Sequence, residues 1–343
     1  MPGNVAQGDA SYCQTVSLLS RQNSRSKRTP PYLKPPPPTH ILGLFSNIQL
    51  SFLASALALA TPSAVRAQHQ ALRAEVGQLA PAASARVGVS MRVLGTGDIM
   101  SYHNRQHYSL LSVFKLAIAM AVLHQVDQGK LRLTQPISLT KADLPKTYSP
   151  LRDKYPEGNV YMPVQELLRY MLVVSDNDAC DILLKLVGGP RQVTAYLRGL
   201  GIRPVVIAFS EAQMGAVWSA QYANWSYPAA QVELLDRVYR RTALSAASSH
   251  LLYTLLRATS VTPHRLKGLL PPGTPVAHRS GTSSPNAQGL SPATNDVGII
   301  ELPDGRHIAL AVFVSDSYAE VAAQELLIAK IAQAVYKEFT QSH

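Results

Sequence analysis

The chain has 343 residues, of which 46% are hydrophobic and 15% charged, and this composition excludes a disordered protein and fits a packed globular enzyme. The formal net charge of +11 divides into +5 for residues 1–67 and +6 for the remainder. Because the basic residues of the remainder are scattered, with no run interleaved with aromatic residues, the sequence argues against a nucleic-acid-binding protein.

Residues 1–67 have the composition of a basic leader followed by a secretory signal peptide. The first forty residues contain five Lys and Arg residues and the run Pro35–Pro38, but they show no apolar period. An apolar stretch begins at Ile41, and Val65 and Ala67 occupy the small-residue positions of a signal-peptidase site. The pattern therefore predicts cleavage after Ala67 and a periplasmic or secreted protein.

A membrane anchor is the alternative interpretation of the apolar stretch. Its length approaches the ~20 residues of a membrane-spanning helix, but Asn47 and Gln49 interrupt it. After cleavage, we expect a catalytic domain over residues 68–343 that does not contact a membrane. Cys180 then has no disulfide partner, because Cys13 lies in the leader, and the apolar helical pattern around Cys180 predicts a buried side chain.

In the predicted catalytic domain, strands lie near both ends and helices dominate the middle. A strand is predicted over 85–95, and a long apolar helix runs from Ser112 to about Gln128, where Gly129 ends it. Further helices are predicted over 164–173, 178–187, 192–199, 230–240 and 319–339, and further strands over 275–283, 295–302 and 307–316, the last two as a hairpin. This order predicts an α/β (α+β) fold, in which one sheet is built from both ends of the chain and an all-helical lobe is inserted between them.

Four short segments contain candidate catalytic residues, and the first is Ser112 followed three residues later by Lys115. The same spacing occurs twice elsewhere, but only this copy opens a long apolar helix. There, residues three apart share a face, and the hydroxyl lies at the positive end of the helix dipole. A lysine in this position can activate a serine as a nucleophile. The alternative is an N-cap serine followed by a solvent-exposed lysine.

The other three segments are short polar clusters. Residues 175–177 read Ser-Asp-Asn at a predicted junction of two helices, and residues 278–282 read His-Arg-Ser-Gly-Thr within a predicted strand. The third cluster contains Glu211, in a stretch without a clear period. A glycine inside a strand often marks the close approach of a ligand. Each cluster also has an ordinary structural interpretation: a helix cap, an edge strand with a charged outer face, and a solvated glutamate.

Together, these segments resemble the class A serine β-lactamases and their penicillin-binding relatives, whose signature is Ser-x-x-Lys, then Ser-Asp-Asn, then Lys-Thr-Gly on a strand. The order is the same. The spacings also fit, with 63 residues from Ser112 to Ser175, 36 from Ser175 to Glu211 and 68 from Glu211 to Arg279. The resemblance extends from about residue 80 to the C terminus and is greatest with the PER-type extended-spectrum branch.

The resemblance implies a serine β-lactamase/penicillin-binding-protein-like fold, with an antiparallel sheet packed with helices. It also implies hydrolysis of the β-lactam ring of penicillins and cephalosporins through a serine acyl-enzyme, which confers β-lactam resistance. The partners expected are the small-molecule β-lactam and water, with no metal, no cofactor and no nucleic acid, and a monomer is expected.

Carried over to this chain, the family's catalytic residues become Ser112, Lys115, Ser175 and Glu211. Ser112 is the acylated nucleophile, and Lys115 is its proton acceptor or electrostatic partner. Glu211 holds the deacylating water, and Ser175 returns a proton to the lactam nitrogen. Whether Lys115 or Glu211, through water, takes the serine proton stays open at this point.

The family's substrate-binding residues map onto a second set. Asn177 is expected to bind the substrate's side-chain amide, whereas Arg279, Ser280 and Thr282 meet its carboxylate, with Arg265 as a second counter-ion. The backbone N–H groups of Ser112 and Thr282 are expected to form the oxyanion hole. The full substrate-binding set is Asn177, Arg279, Ser280, Gly281, Thr282, Arg265 and Tyr148.

Two departures from the family pattern have chemical consequences. Arg279-Ser280-Gly281 replaces Lys-Thr-Gly but keeps the charge and the hydroxyl, so carboxylate binding is expected to persist. Gly215 stands where most class A enzymes carry an asparagine that helps to hold the water. Deacylation is therefore the step expected to differ.

Four other functions remain alternatives. A penicillin-binding carboxypeptidase generally lacks a glutamate at the position of Glu211. A β-lactam sensor that stays acylated is kept open by Gly215, although we expect no membrane-spanning signalling region after residue 67. A Ser-His-Asp hydrolase would need a G-x-S-x-G elbow, which residues 68–343 lack. A metalloenzyme is disfavoured because His103 and His107 have no third ligand in the sequence.

Overall fold

A computed structural model describes residues 62–341, so the predicted leader and the apolar part of the predicted signal peptide lie outside the described residues. Helices α1 to α10 are Pro62–Leu79, Lys115–Asp127, Pro150–Lys154, Val164–Val173, Asn177–Leu186, Pro190–Gly199, Glu211–Ala216, Pro228–Tyr239, Ala246–Arg257 and Val321–Thr340. Strands β1 to β10 are Arg86–Leu94, Ile99–Tyr102, Tyr108–Ser109, Pro136–Thr140, Gly158–Pro163, Val205–Val206, Trp225–Ser226, Val276–Thr282, Ser291–Glu301 and His307–Ser317. Short 3₁₀ turns occur at Ala80–Ala83, Leu111–Phe114, Lys141–Asp143 and Trp218–Tyr222.

The central sheet has five antiparallel strands in the order β2-β1-β10-β9-β8. The strand nearest the N terminus therefore pairs directly with the last strand of the chain, which confirms the prediction of one sheet built from both ends. Strands β9 and β10 are buried along almost their whole length because helices cover both faces of the sheet. The nearly continuous apolar sequence of β10 has the same cause, whereas β9 carries the buried polar residues Thr294, Asn295 and Asp296.

Two hydrophobic cores lie on opposite faces of this sheet. Along β10, Ile308, Leu310 and Val312 belong to the core formed with α1 and α10, whereas the alternate residues Ala309 and Ala311 belong to the core of the helical lobe. This alternation follows the two-residue period of a strand. The two cores hold the sheet rigidly between the terminal helices and the helical lobe.

Helix α2 runs through the middle of the helical lobe. Every residue from Lys115 to Leu123 is buried, as expected for a helix that is apolar on all sides. Cys180 of α5 is fully buried as well, as the sequence predicts, and burial raises the pKa of its thiol. The predicted long helix does not begin as an α-helix, because Leu111–Phe114 forms a 3₁₀ turn before α2 starts.

The shortest elements were not apparent in the sequence. Strands β4 and β5 form a separate two-stranded ribbon, and α7 has only six residues, so neither shows a clear hydrophobic period. Among the helices of residues 62–341, none is both long enough and apolar enough to cross a membrane.

Candidate active site

Ser112 lies in the 3₁₀ turn that precedes α2, pressed against strand β8. A side chain at Gly281 would overlap the carbonyl oxygen of Leu110 and come within 3.3 Å of the Ser112 backbone nitrogen. The glycine is therefore required by the close approach of protein backbone, rather than by a ligand as the sequence suggested. This contact fixes the position of Ser112 relative to the strand.

Lys115 lies one turn beyond Ser112, and its ammonium group is fully buried. Its Nζ atom is 3.0 Å from Ser112 Oγ and 2.8 Å from Glu211 Oε1. It also lies 2.8 Å from the carbonyl oxygen of Ser175 and 2.6 Å from Asn177 Oδ1. A buried charge needs such partners to offset the loss of hydration. Lys115 thus brings three of the four sequence segments together.

Glu211 is the first residue of α7, and not part of an irregular loop as the sequence suggested. Ser210 caps this helix in a reciprocal pair with Gln213. The Asp181 carboxylate accepts hydrogen bonds from the backbone N–H groups of Glu211 at 2.7 Å and Ala212 at 2.9 Å. Burial raises the pKa of Asp181. These contacts hold Glu211 where Ser112 Oγ donates to its Oε1 atom over 3.1 Å.

The Ser-Asp-Asn segment lies at the junction of α4 and α5, as predicted. Ser175 has a left-handed backbone, with φ of 62°, which turns its side chain towards Lys115. Asp176 is fully buried and caps α5 by accepting from the Ala179 N–H at 2.8 Å. Asn177 donates to Thr147 Oγ1 at 2.9 Å. Asp176 is thus a structural residue between two residues that face the cavity.

Arg279 of β8 lies behind Ser175 and is fully buried. Its Nε atom donates to the Ser112 carbonyl oxygen over 3.1 Å, and Nη2 donates to Ser175 Oγ. Burial lowers the pKa of Arg279 to about 10, so the guanidinium is still charged at neutral pH. The strand alternation places Ser280 on the other face of β8.

Arg265 also lies behind the cavity rather than inside it. Only 1% of its surface is exposed, and burial lowers its pKa. Its guanidinium donates to Thr282 Oγ1 over 2.7 Å and to the Gly281 carbonyl oxygen over 2.8 Å, and it pairs with Glu325 at 3.1 Å. Because Thr282 Oγ1 accepts from Arg265, the Thr282 hydroxyl proton is free to bind a ligand in the cavity.

The cavity over Ser112 has a volume of about 300 Å³. Its lining residues are Leu111, Ser112, Tyr148, Ser175, Asn177, Glu211, Val261, Thr262, Ser280 and Thr282. Tyr148 stands at the mouth with 56% of its surface exposed. The structure therefore brings Tyr148, Asn177, Ser280 and Thr282 to the same cavity as Ser112, Ser175 and Glu211, with Lys115, Arg265, Arg279 and Gly281 packed behind it.

An adjoining cavity of about 460 Å³ extends along α7. It shares Tyr148, Asn177 and Glu211 with the first cavity and continues past Gly215 to Trp218, Gln221 and Ser284. A Cβ atom at Gly215 would meet nothing within 4 Å. Trp218, Gln221 and Ser284 belong to none of the sequence motifs, and neither does Thr262, whose Oγ1 is 2.8 Å from Ser280 Oγ.

A metal site has no support in residues 62–341, where no cluster of three or more His, Cys, Asp or Glu side chains could hold an ion. The ring of His107 instead stacks on Trp225 with 3.7 Å between centroids.

Comparisons with known proteins agree on one family. Residues 70–339 match the model of the β-lactamase enzyme family. The extended-spectrum β-lactamase PER-1 of Pseudomonas aeruginosa is 42% identical over 274 residues, which cover 79% of this chain and 88% of that protein. A β-lactamase structure from Chitinophaga pinensis is 43% identical, with a TM-score of 0.77, and the match covers 79% of this chain and all of that one. A class A β-lactamase structure from Bacteroides cellulosilyticus is 34% identical, also with a TM-score of 0.77, over 80% of this chain and 99% of that one.

Proposed function

Because the chain belongs to the class A β-lactamase family, hydrolyses the β-lactam ring and so confers resistance, we propose that Ser112 is its nucleophile and Glu211 the base that activates the deacylating water. The observation that carries this assignment is one cluster of three groups. Ser112 Oγ is 3.0 Å from Lys115 Nζ and 3.1 Å from Glu211 Oε1, while Lys115 and Glu211 are 2.8 Å apart.

Acylation begins with the loss of the Ser112 hydroxyl proton. Lys115 Nζ lies within 3.0 Å of four acceptor oxygens, and this surrounding favours an ammonium group that only donates. Ser112 Oγ donates towards Glu211, which supports the carboxylate as the proton acceptor. Oγ then attacks the lactam carbonyl carbon, and the resulting oxyanion is stabilised by the backbone N–H groups of Ser112 and Thr282.

Opening of the ring requires a proton on the lactam nitrogen, and Ser175 is placed to give it. Arg279 donates to Ser175 Oγ, so the hydroxyl proton of Ser175 is free to point into the cavity. The C–N bond breaks as this proton transfers, and the acyl group remains on Ser112. The charged Arg279 stabilises the developing negative charge on Ser175 Oγ. The proton that Glu211 took from Ser112 then passes to Ser175 Oγ through Lys115, which contacts both groups, so that Glu211 is again a carboxylate.

Deacylation uses Glu211 a second time. Its carboxylate takes a proton from a water molecule, and the hydroxide attacks the acyl carbon. The acyl–oxygen bond then breaks, and Glu211 returns the proton to Ser112 Oγ, 3.1 Å away. Gly215 supplies no side chain to hold this water, and the neighbouring cavity is open there. Glu211 and Asn177, which both line the two cavities, are the groups proposed to hold it instead.

Substrate binding divides between the two cavities. The hydroxyl groups of Ser280 and Thr282 are proposed to bind the carboxylate of the substrate. Arg279 and Arg265, which are packed behind the cavity, supply positive charge. The substituent on the opposite side of the lactam ring then extends past Asn177 into the larger cavity. The 42% identity to an extended-spectrum enzyme supports oxyimino-cephalosporins among the substrates.

Export and oligomeric state form a separate part of the proposal. The basic and apolar segments of residues 1–67 support a signal peptide and release of a periplasmic or secreted monomer. No membrane contact is proposed after cleavage.

The decisive experiment is stopped-flow hydrolysis of a chromogenic cephalosporin by the chain from Gln68 onward, with intact-mass detection of acylated protein. We expect sustained turnover, and we expect Glu211→Gln to reduce kcat by about 10³-fold, because a general base is typically worth 10²–10⁴-fold. An acyl-enzyme should accumulate in this variant, because Lys115, 3.0 Å from Ser112 Oγ, can still accept the serine proton in acylation, whereas no second base is proposed for the deacylating water. A single stoichiometric burst from the unaltered protein would instead indicate a β-lactam sensor or a carboxypeptidase.

A further inference from the structure

The 3₁₀ turn Trp218–Tyr222 is joined to the extension of β8 by a set of hydrogen bonds outside the catalytic cluster. Gln221 Oε1 accepts from the Ser284 N–H at 3.0 Å, and Gln221 Nε2 donates to the Ser284 carbonyl oxygen at 3.3 Å. Trp218 Nε1 donates to the same carbonyl oxygen over 2.9 Å. Gln221 is buried, with 8% of its surface exposed. We call this set the Gln221 clamp.

The Gln221 clamp spans the outer end of the larger cavity. Trp218 and Gln221 line that cavity from the side of α7, and Ser284 lines it from the side of β8. The clamp therefore fixes the separation of the two walls between which a substituent on the lactam ring must fit. A carboxamide is suited to this position because it donates and accepts in one plane, matching the N–H and C=O of one backbone residue.

Glu211 is anchored independently of the clamp. The Asp181 carboxylate holds the backbone of Glu211, ten residues before Gln221. The Asn224 side chain accepts from the Ala208 and Phe209 N–H groups and so fixes the segment before α7. Loss of the clamp should consequently move the cavity wall without moving the catalytic carboxylate.

We propose that Gln221 is a positioning residue that determines substrate specificity. Through Ser284 it sets the width of the larger cavity, and so it selects β-lactams by the acyl group on the amino nitrogen beside the lactam carbonyl. The proposal rests on the function proposed above for Ser112 and Glu211. It concerns the binding of the acyl group, whereas the catalytic proposal concerns bond breaking.

Two cephalosporins distinguish an effect on the binding of the acyl group from an effect on bond breaking. Cefotaxime and 7-aminocephalosporanic acid share one nucleus and differ only in the acyl group on the 7-amino nitrogen. For Gln221→Ala, we expect the KM for cefotaxime to rise about tenfold with kcat within twofold, since both side-chain hydrogen bonds to Ser284 and the one to Trp218 are lost. For 7-aminocephalosporanic acid, we expect kcat/KM to stay within twofold of the unaltered enzyme.

Gln221→Glu gives a readout that a merely structural role would not produce. At pH 8 its carboxylate faces the carbonyl oxygens of Ser284 and Trp218, so the KM for cefotaxime should rise as in Gln221→Ala. When the carboxyl group is protonated it regains a donor and an acceptor, so the KM should return towards the unaltered value as the pH falls to 5. Gln221→Ala should show no such return.

Tyr222→Phe is the matched control. It removes the 2.6 Å hydrogen bond to Asp316, which anchors the same turn without lining the cavity. An equal rise in the KM for cefotaxime in Tyr222→Phe, equal losses on both cephalosporins in Gln221→Ala, or no pH rescue in Gln221→Glu would each overturn the proposal. An unaltered chain that hydrolysed neither compound would instead overturn the catalytic proposal on which this one rests.

Discussion

Asp178 carries a buried carboxyl group, one oxygen of which has no hydrogen-bond partner within the described part of the chain. Burial raises the pKa of Asp178 from 3.8 to about 6. Its place in the first turn of α5 favours a negative charge by only ~0.3–1 kcal/mol. Burial therefore outweighs the helix dipole, and the carboxyl group is a source of instability at neutral pH.

Asp178→Asn should consequently stabilise the protein above pH 6. A raised pKa means that ionisation costs stability as the pH rises from about 4 through 6, and the full cost of up to ~3 kcal/mol is present above that range. We expect the variant to gain about 1–3 kcal/mol in the free energy of unfolding at pH 7.5 and nothing at pH 3.5. Urea denaturation at several pH values measures this difference. Asp153→Asn, at an exposed carboxylate, is the control, and equal pH slopes for Asp178→Asn and the unaltered chain would contradict the prediction.

The residues that were easiest to predict from the sequence are those whose own side chains take part in the proposed reaction. Ser112, Lys115 and Ser175 stand in short motifs whose spacing could be checked, and the structure brings them together with Glu211. Gln221 could not be found in this way, because the function proposed for it depends on hydrogen bonds to the backbone of a residue 63 positions away. No local pattern encodes a contact of that kind.

At the scale of elements, the site depends on the packing of β8 against the turn that carries Ser112. Gly281→Ala would place a Cβ atom against the Leu110 carbonyl oxygen and force the turn away from the strand. We expect kcat/KM to fall by about 100-fold or more, because misplacement by ~1 Å can cost that much, with a loss of about 1–3 kcal/mol in stability from overpacking. Steady-state kinetics and thermal unfolding measure the two effects.

Gly199→Ala is the control for this substitution. Gly199 ends α6, and a Cβ atom there would meet nothing within 4 Å, so the alanine should be neutral or stabilising by up to ~1 kcal/mol. A Gly281→Ala enzyme with undiminished kcat/KM would show that the turn and the strand do not need this close approach.

The long elements could be predicted, whereas the short ones that carry the proposed catalytic residues could not. The predicted helix 164–173 coincides with α4, because ten residues are enough to show an apolar face. Helix α7 is too short for that, and its start at Glu211 is fixed by the distant Asp181 carboxylate. The 3₁₀ turn at Ser112 is likewise set by its contact with β8, which a local period does not reveal.

At the scale of the whole molecule, the two ends of the chain complete one layer of the fold. Helices α1 and α10 pack on the same face of the sheet, and Leu72 and Val76 of α1 are buried at 1% and 0% exposure. The first helix is therefore part of the catalytic domain, although its first six residues, 62–67, fall in the segment predicted to be removed during export.

The predicted cleavage after Ala67 divides α1. The part that remains contains Leu72 and Val76, which belong to the core formed with α1 and α10. We expect the mature protein recovered from the periplasm to begin at Gln68, which keeps Leu72 and Val76 in place. Its free energy of unfolding should equal that of purified chain that starts at Gln68. Removal of residues through Leu79 should cost at least about 4 kcal/mol, since each buried aliphatic side chain lost from a core costs roughly 2–5 kcal/mol. That loss approaches the whole stability of an ordinary domain. Intact mass gives the first residue and urea denaturation gives the stability, and a mature N terminus beyond Val76 with undiminished stability would refute the assignment of α1 to the folded domain.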